Sequence, residues 1–351
     1  VGSGIVGLST ALHLKTKQPN AKIVILEKGL FSQGASTKNA GFACFGSLSE
    51  ILKDFESHTE SEVLELVSQR YRGLQLLRST LGDKALSYQQ LGGYELFLKK
   101  DQRLFDTCLQ NMKEVNSLLK PIFKADVFSS VSNHFNFSRI QNQYIRNQFE
   151  GQIDTGKMMQ ALIRRVQELG VIILNNTKVE RYLEHSDKVS LQTSHFEFSA
   201  KKLIFTTNGF AKQLINEDVQ PARAQVLITK PLKNLQIKGT FHLDCGYYYF
   251  RNIDNRILFG GGRNLDIKGE TTTELAQTQT IQQSLETLLK HTILPEIDFE
   301  IEHRWSGIMG LGSQKKPIVK QLSEHVYCGV RMGGMGVAIG SLIGKEVSDF
   351  F

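Results

Sequence analysis

The chain begins Val1-Gly2-Ser3-Gly4-Ile5-Val6-Gly7, which fits the pattern G-x-G-x-x-G. In such a loop the first glycine permits a tight turn and the second lets the backbone approach a pyrophosphate. The third allows a helix to pack closely on a strand. Residues 5–15 have a helical pattern, and the start of that helix offers free N–H groups and a positive dipole to phosphates. We therefore predict a dinucleotide-binding loop with contacts from Gly2, Gly4, Ile5, Val6 and Gly7.

A buried strand and an acidic residue follow this helix. The apolar run at 21–26 is typical of a parallel strand, and Glu27 comes directly after it. A carboxylate at that place can accept hydrogen bonds from the hydroxyls of an unphosphorylated ribose. The alternative is a structural turn with an incidental glutamate. Because a glycine loop ordinarily follows a complete strand, we also expect strand residues to precede Gly2.

Composition excludes several classes of protein. With 351 residues, 40% of them hydrophobic and 22% charged, the chain is long enough for two domains and too apolar for a disordered segment. The net charge of +7 is spread without the basic stripe of a nucleic-acid-binding protein, and no stretch has the length of a membrane span. No secretory leader is visible. Four cysteines without C-x-x-C spacing indicate reduced thiols in a cytoplasmic protein, and no metal site is expected.

The order of elements predicts two interleaved units. Helix and strand alternate at 154–169, 171–174 and 203–206, and again from a strand at 325–330 to a helix at 337–347. Residues 48–120 are mostly helical with a strand at 94–98, whereas 222–304 alternate with period two, as antiparallel strands do. The predicted fold class is α/β: a Rossmann-like dinucleotide-binding domain with an interleaved α+β substrate domain built on an antiparallel sheet. The dinucleotide-binding domain takes 1–47, 150–221 and 305–351; the substrate domain takes 48–149 and 222–304.

A second glycine-containing loop favours FAD over NAD. It reads Gly34-Ala35-Ser36-Thr37-Lys38-Asn39-Ala40-Gly41-Phe42. Its residues are small and hydroxylated, which suits contact with phosphates and close passage beside a flat ring. An NAD domain would run straight on into further β-α-β units. The Rossmann-like domain is therefore predicted to be an FAD-binding domain.

With these motifs in order, the sequence resembles the D-amino-acid oxidase-type FAD-dependent oxidoreductases, near glycine oxidase, sarcosine oxidase and γ-glutamylputrescine oxidase. The resemblance covers the whole chain. The motifs that carry it are Gly2–Gly7, Glu27-Lys28, Gly34–Gly41, Gly92-Gly93-Tyr94, Gly151–Thr155, Thr177-Lys178-Val179, Thr206–Gly209, Gly260–Arg263, Trp305–Met309 and Gly333–Val337.

The resemblance implies roles toward FAD. The backbone of Val179 would hold the adenine, and Ser36 and Thr37 would meet the pyrophosphate. Four residues, Gly334, Met335, Gly336 and Val337, would present N–H groups to the flavin pyrimidine oxygen, where the reduced ring carries negative charge. The remaining expected contacts are Glu27, Lys28, Asn39, Ala40, Gly41, Phe42, Thr207, Asn208 and Gly209. Since residues 305–317 contain no cysteine, we predict non-covalent FAD.

The implied activity is oxidation of a C–N bond in an amine or amino-acid derivative. Hydride would pass to flavin N5, the product would be an imine, and oxygen or a carrier would accept the electrons. One alternative is a FAD-dependent 2-hydroxy-acid dehydrogenase that reduces a quinone or carrier. An alternative from another class is a non-catalytic flavin-binding accessory subunit.

Substrate contacts are predicted at Tyr249, Arg251 and Met309. Met309 stands where glycine-oxidase-like chains have an arginine that clamps the substrate carboxylate, which favours an amine over a simple amino acid. Arg223, Arg251 or Arg263 could supply a clamp from elsewhere. On an alternating strand Tyr249 and Arg251 share one face. The alternative is that the tyrosines pack in the sheet and Arg251 pairs with Asp254. His242 and His303 are expected to be structural, and Cys44 a small buried hydrophobe.

Overall fold

Nine α-helices and eighteen β-strands form the chain, and the computed structural model describes all residues from 1 to 351. The helices are α1 (Ile5–Lys17), α2 (Ala35–Lys38), α3 (Leu48–Phe55), α4 (Glu60–Leu81), α5 (Asp83–Leu86), α6 (Gln102–Phe123), α7 (Thr155–Glu168), α8 (Gln279–Leu288) and α9 (Gly336–Ser348). None of them combines the length and the apolar character that a bilayer crossing requires.

The strands belong to five sets of paired segments. They are β1 (Val24–Leu26), β2 (Phe42–Ala43), β3 (Gly93–Leu96), β4 (Phe128–Ser132), β5 (Gln143–Asn147), β6 (Gly151–Gln152), β7 (Ile172–Leu174), β8 (Val179–Glu184), β9 (Val189–Thr193), β10 (Glu197–Ala200), β11 (Leu203–Phe205), β12 (Gln220–Thr229), β13 (Thr240–Leu243), β14 (Tyr248–Ile253), β15 (Arg256–Gly261), β16 (Ile301–Leu311), β17 (Ile318–Gln321) and β18 (Val326–Val330).

The predicted parallel strands are present, and residues 1 and 2 join them. β1 pairs with β7 and β11 pairs with β18, both in parallel. Between these pairs, the Gly2 N–H donates to the Leu26 carbonyl at 2.9 Å, and the Thr206 N–H donates to the Val1 carbonyl at 3.0 Å. The glycine loop therefore lies in the middle of the parallel layer, at the carboxyl ends of its strands.

Helices α1 and α9 pack against each other. At Gly344 of α9, a Cβ atom would lie 2.5 Å from the Ser9 Cβ and 2.8 Å from the Thr10 nitrogen, so only glycine fits there. The predicted helix at 154–169 is confirmed as α7, which begins after Asp154. The Asp154 carboxylate accepts a hydrogen bond from the Lys157 N–H at 2.9 Å.

The second layer is an eight-stranded sheet in the order β16-β12-β15-β14-β13-β3-β5-β4. All its pairings are antiparallel except that of β13 with β3. One face packs on a core that includes Phe241, Phe250, Phe259 and the α8 residue Leu285. The predicted antiparallel strands within 222–304 and the α/β class are therefore confirmed. Residues 279–293 of that stretch are helical instead, because their apolar side chains cover the core face of the sheet.

The predicted helical region is also confirmed, since α3, α4 and α6 fill residues 48–123 on either side of β3. The division into two units at the stated boundaries stays a prediction. Residues 305–311, assigned to the FAD-binding unit, are the second half of β16 in the large sheet.

Candidate active site

A continuous cleft runs from the glycine loop to the face of the large sheet that is turned away from α8. It consists of a cavity of about 110 Å³ beside the loop and a cavity of about 420 Å³ under the sheet. Five residues line both cavities and thus connect them: Gly4, Ala35, Ser36, Thr206 and Asn208. Parallel sheets bind ligands at the carboxyl ends of their strands, which is where this cleft begins.

The glycine loop is shaped by close contacts that exclude side chains. A Cβ at Gly7 would lie 2.0 Å from the Gly2 carbonyl oxygen, so the third glycine lets α1 pack on the loop. A Cβ at Gly4 would lie 2.9 Å from Ser36 Oγ. That hydroxyl accepts a hydrogen bond from the Ile5 N–H at 2.9 Å, which leaves its own proton free for an anion.

Glu27 is buried in the wall of the smaller cavity, and hydrogen bonds fix its orientation. One carboxylate oxygen accepts from the Ser3 N–H at 3.0 Å and the Ser3 hydroxyl at 2.6 Å, and the other accepts from the Gly29 N–H at 3.0 Å. Next to it, Lys28 Nζ lies 3.2 Å from the centre of the Phe210 ring. The acidic residue predicted from spacing thus reaches the cleft in a defined orientation.

The N-termini of α1 and α9 both open into the cleft. The N-cap residues of these two helices, Gly4 and Met335, form no capping hydrogen bond, and neither helix has an acidic residue in its first turn. By contrast, α4 and α7 are capped by Thr59 and Asp154. At α9 the N–H groups of Gly334, Gly336 and Val337 have no hydrogen-bond partner in the protein. Two uncapped helix ends of this kind stabilise negative charge.

These residues fit FAD. The hydroxyl of Thr207 lines the smaller cavity and is buried without a hydrogen-bond partner, as expected of a group that meets a ligand. The glycine loop and the α1 terminus suit a pyrophosphate, and the α9 terminus suits the electron-rich pyrimidine edge of a flavin. The predicted contacts that line the cleft are Gly2, Gly4, Ile5, Val6, Glu27, Lys28, Ser36, Asn39, Ala40, Phe42, Val179, Thr207, Asn208, Gly334, Met335, Gly336 and Val337.

Four predicted cofactor residues do not line the cleft. Gly7 packs on Gly2, and the Thr37 hydroxyl donates to the carbonyl of Ser32 at 3.0 Å. Gly41 is turned toward Arg251, since a Cβ there would lie 2.8 Å from the guanidinium Nη2. Gly209 faces the Met309 carbonyl, 2.4 Å from where its Cβ would be. These four residues determine how closely the loops pack on their neighbours, and any direct contact between them and FAD stays a prediction.

The loop at 34–42 is held by two neighbouring segments and by a hydrogen bond of its own. The Trp305 indole N–H donates to the Lys38 carbonyl at 2.9 Å, which explains the tryptophan of the Trp305–Met309 motif. The Asn39 side-chain oxygen accepts from the Gly41 N–H at 2.8 Å and from the Thr155 hydroxyl at 2.9 Å. The loop is therefore fixed between α7 and the large sheet.

A row of side chains on neighbouring strands of the large sheet faces the larger cavity. Tyr249 on β14 is the cross-strand neighbour of His242 on β13, and the Phe42 ring meets both rings edge-on, at centroid distances of 5.7 Å and 5.2 Å. Burial raises the pKa of Tyr249 to about 12. Tyr248 lies in the core on the opposite face, as the alternating pattern predicts.

The three arginines considered as a carboxylate clamp have different surroundings. Arg223 is buried in a bidentate ion pair with Glu270, at 2.7 Å and 2.8 Å. Arg251 is buried behind Gly41, away from the cavity wall; it forms no ion pair with Asp254, its Nε has no partner, and burial lowers its pKa to about 10. Arg263 lines the larger cavity together with Tyr249 and Met309.

Sequence reasoning missed several residues of the larger cavity, among them His242, Lys53 and Glu50. The four cysteines are free, and Cys44 is buried beside Glu150 and His242: its Sγ, a carboxylate oxygen and an imidazole nitrogen lie within 4.8 Å of one another. They come from distant segments, so only the alternation on β13 could have indicated that His242 points to the Tyr249 side.

The fold and the cleft define an α/β protein with a glycine loop of the dinucleotide-binding type and an antiparallel sheet that forms the far wall of the cleft. A family model described as FAD dependent oxidoreductase matches residues 1–350. The chain therefore belongs to this family. The predictions of the family, of an enzyme and of FAD as its cofactor are confirmed.

Individual relatives are distant in sequence. The γ-glutamylputrescine oxidoreductase of Escherichia coli (strain K12) is 22% identical over 99% of this chain and 82% of its own. The glycine oxidase of Geobacillus kaustophilus is 17% identical, with a TM-score of 0.79 over 99% of this chain and 92% of its own. The L-proline dehydrogenase of P. horikoshii is 16% identical, with a TM-score of 0.77 over 99% of this chain and 91% of its own. The structural matches show that the fold is shared.

Proposed function

We propose that this chain oxidises the C–N bond of an amine or amino-acid derivative that also carries a carboxylate. The observation that supports it is the charge of the larger cavity. Lys38, Lys53 and Arg263 line it without forming ion pairs, whereas Lys315 is paired with Asp54 and one carboxylate, Glu50, is present. Unpaired cations around a small cavity favour an anionic ligand. The activities named for two relatives, on γ-glutamylputrescine and glycine, concern amines and amino acids.

The residues of the chain position and shield the substrate. Bound FAD supplies the hydride acceptor, and the product is an imine. Arg263 matches a carboxylate bidentately because its guanidinium presents two parallel donors. The Met309 side chain and the Tyr249 ring line the cavity and exclude water. The Met309 sulfur lies beside Gly334: a Cβ built on Gly334 would be 3.5 Å from Met309 Sδ. Because a thioether donates no hydrogen bond, the carboxylate of the substrate lies away from Met309.

An anaerobic flavin-reduction panel tests this function on the holoenzyme. It compares amines, α-amino acids, N-alkyl amino acids and 2-hydroxy acids by the loss of flavin absorbance. We expect fastest reduction by amines with a carboxylate and poor reduction by glycine and D-alanine, because Met309 offers no clamp beside the ring. Arg263→Met should raise the dissociation constant of the best carboxylate substrate about 10- to 100-fold and change the limiting rate less.

The control variant is Arg256→Met, which removes a guanidinium at the other end of β15 that is paired with Glu302 outside the cavity. It should leave the dissociation constant unchanged. Fast reduction by glycine or D-alanine would contradict the role of Met309. Reduction by 2-hydroxy acids alone would favour the dehydrogenase alternative, and a flavin that no substrate reduces would favour the accessory subunit.

A further inference from the structure

His242 lies in the wall of the larger cavity at a place fixed by sheet register. All four residues of β13 are buried, and His242 is paired with Tyr249 on one side and with Glu95 on the other. Its ring contacts Phe42 of the loop that borders the flavin region. The imidazole therefore belongs to the surface that a bound substrate meets, although the sequence suggested a structural role.

Glu150 stands behind this imidazole in a site built to hold a carboxylate. Its side chain is 1% exposed, and one oxygen accepts from the N–H groups of Phe45 and Gly46 at 3.1 Å and 3.4 Å. The other oxygen lies 3.6 Å from His242 Nε2. A Cβ at Gly93 would lie 2.0 Å from that oxygen, so the glycine of the Gly92-Gly93-Tyr94 motif makes room for it.

The two ring nitrogens of His242 therefore differ. Nε2 is buried, has no other partner and is directed at Glu150, which favours a proton on that nitrogen. Nδ1 is left with its lone pair on a ring that lines the cavity. A histidine backed by a carboxylate in this way is a stronger proton acceptor than an isolated one.

We propose that His242, with Glu150 as its counter-charge, accepts the proton that a substrate ammonium group loses before its C–N bond is oxidised. The proposal rests on the proposed function. One N–H bond of the ammonium breaks, its electron pair stays on nitrogen as the lone pair of the free amine, and the proton binds Nδ1. No electron is transferred in this step, and the Glu150 carboxylate balances the imidazolium charge.

Other groups at the cavity are poorer proton acceptors at neutral pH. Burial raises the pKa of Tyr249 to about 12 and that of Cys44 well above its ordinary value. For His242, burial acts to lower the pKa, but the Glu150 carboxylate, with Glu50 and Glu95, outweighs it and raises the pKa above 6.5. The titratable groups around the ring are Glu150, Glu95, Glu50, Cys44 and Tyr249.

The sign of the pH dependence follows. Below the pKa of His242 the imidazole already carries its proton and cannot accept another. The rate of flavin reduction should therefore rise with pH, and this ascending limb of the pH–rate profile should lie above pH 6.5. His242→Gln should lower the rate at pH 8 by about 100-fold and abolish this limb. Glu150→Gln should move the limb to lower pH, because the buried imidazolium loses its counter-charge. The control His303→Gln changes an exposed histidine of β16 and should leave the profile unchanged.

A second measurement does not depend on turnover. Holoenzyme labelled with ¹³C at the histidine rings is titrated by NMR, and His242→Gln identifies the resonance. An amine whose α-carbon bears no hydrogen binds without being oxidised. On its binding, the His242 signal should move to the protonated position, whereas the trimethylated quaternary ammonium analogue, which has no proton to give, should leave it unmoved.

The two proposals fail in different ways. If no amine reduces the flavin of the unaltered protein, the proposed function is wrong. If amines reduce it while His242→Gln keeps the acidic limb, or the amine leaves the His242 resonance unmoved, the role of His242 is wrong. The resonance is recorded in the unaltered protein, so this outcome is available even if a variant folds poorly.

Discussion

Charged residues buried in this protein differ in what neutralises them. Arg223 is matched by Glu270, which also accepts from the Gln225 amide at 2.9 Å, so the pair is fully hydrogen-bonded. Arg251 has no carboxylate partner of this kind, its Nε forms no hydrogen bond, and its guanidinium packs against Gly41. Arg263 is half-buried at the cavity and free to bind. The chemistry of the side chain is the same in all three, and the neighbours decide its role.

Removing one partner of the Arg223 pair should be costly. The side chains of Arg223 and Glu270 are 6% and 0% exposed, so Glu270→Gln leaves a buried guanidinium without its counter-charge. We expect a loss of about 3–5 kcal/mol in the free energy of unfolding, measured by urea denaturation. Glu300→Gln, in the exposed pair with Lys230, should cost less than about 1 kcal/mol. Equal losses in the two variants would contradict this explanation.

At the scale of elements, α1 and α9 act as a pair. Their uncapped N-termini approach the two halves of the cleft, and their bodies touch through Gly344. If α1 meets the pyrophosphate and α9 the flavin, as we predict, the spacing between the helices sets the distance between these two ends of the cofactor. Helices α4 and α7 instead begin with capping side chains, Thr59 and Asp154, which accept hydrogen bonds from N–H groups of their first turns.

Gly344→Ala should disturb both stability and FAD binding. The added methyl would meet the backbone nitrogen of Thr10 at 2.8 Å, and backbone cannot move aside as a flexible side chain can. We expect a loss of about 1–3 kcal/mol in unfolding free energy and weaker FAD binding, by thermal unfolding and fluorescence titration. Gly156→Ala, where the nearest atom is 3.4 Å away, is the matched control. If Gly344→Ala binds FAD as tightly as that control, the helix spacing does not set cofactor affinity.

At the scale of the whole molecule, the cleft exists because two layers meet along it. Segments far apart in the chain line it, from Gly2 in the glycine loop to Val337 in α9. A ligand that binds along this cleft contacts both layers and so favours the folded state over the unfolded one.

FAD should therefore stabilise the chain and should be released on denaturation. At 100 times its dissociation constant, FAD should add about 2.7 kcal/mol to the unfolding free energy, seen as a higher melting temperature. Acid precipitation should leave the yellow colour in the supernatant, because residues 305–317 contain no cysteine. Flavin that stays with the precipitate would show a covalent link, with Cys44 and Cys245 of the cavity wall as the residues to replace first.

The sequence by itself determined the glycine loop, the acidic residue after β1 and the alternation of Tyr248 and Tyr249. These features depend on local geometry: a turn that needs glycine, a strand that ends at a fixed spacing, side chains that alternate. The small loop at 34–42 was identified from its composition, and the glycine turn before α9 was identified through the resemblance to FAD-dependent oxidoreductases; both line the cleft.

Only the tertiary structure decided which side chains meet across the cleft. His242, Glu150 and Cys44 come from three distant segments, and Arg223, Arg251 and Arg263 looked equivalent until their neighbours were known. Strand register places His242 beside Tyr249, and a single-residue shift would turn it into the core. Register and long-range pairing depend on the packing of the whole sheet, which no local pattern specifies.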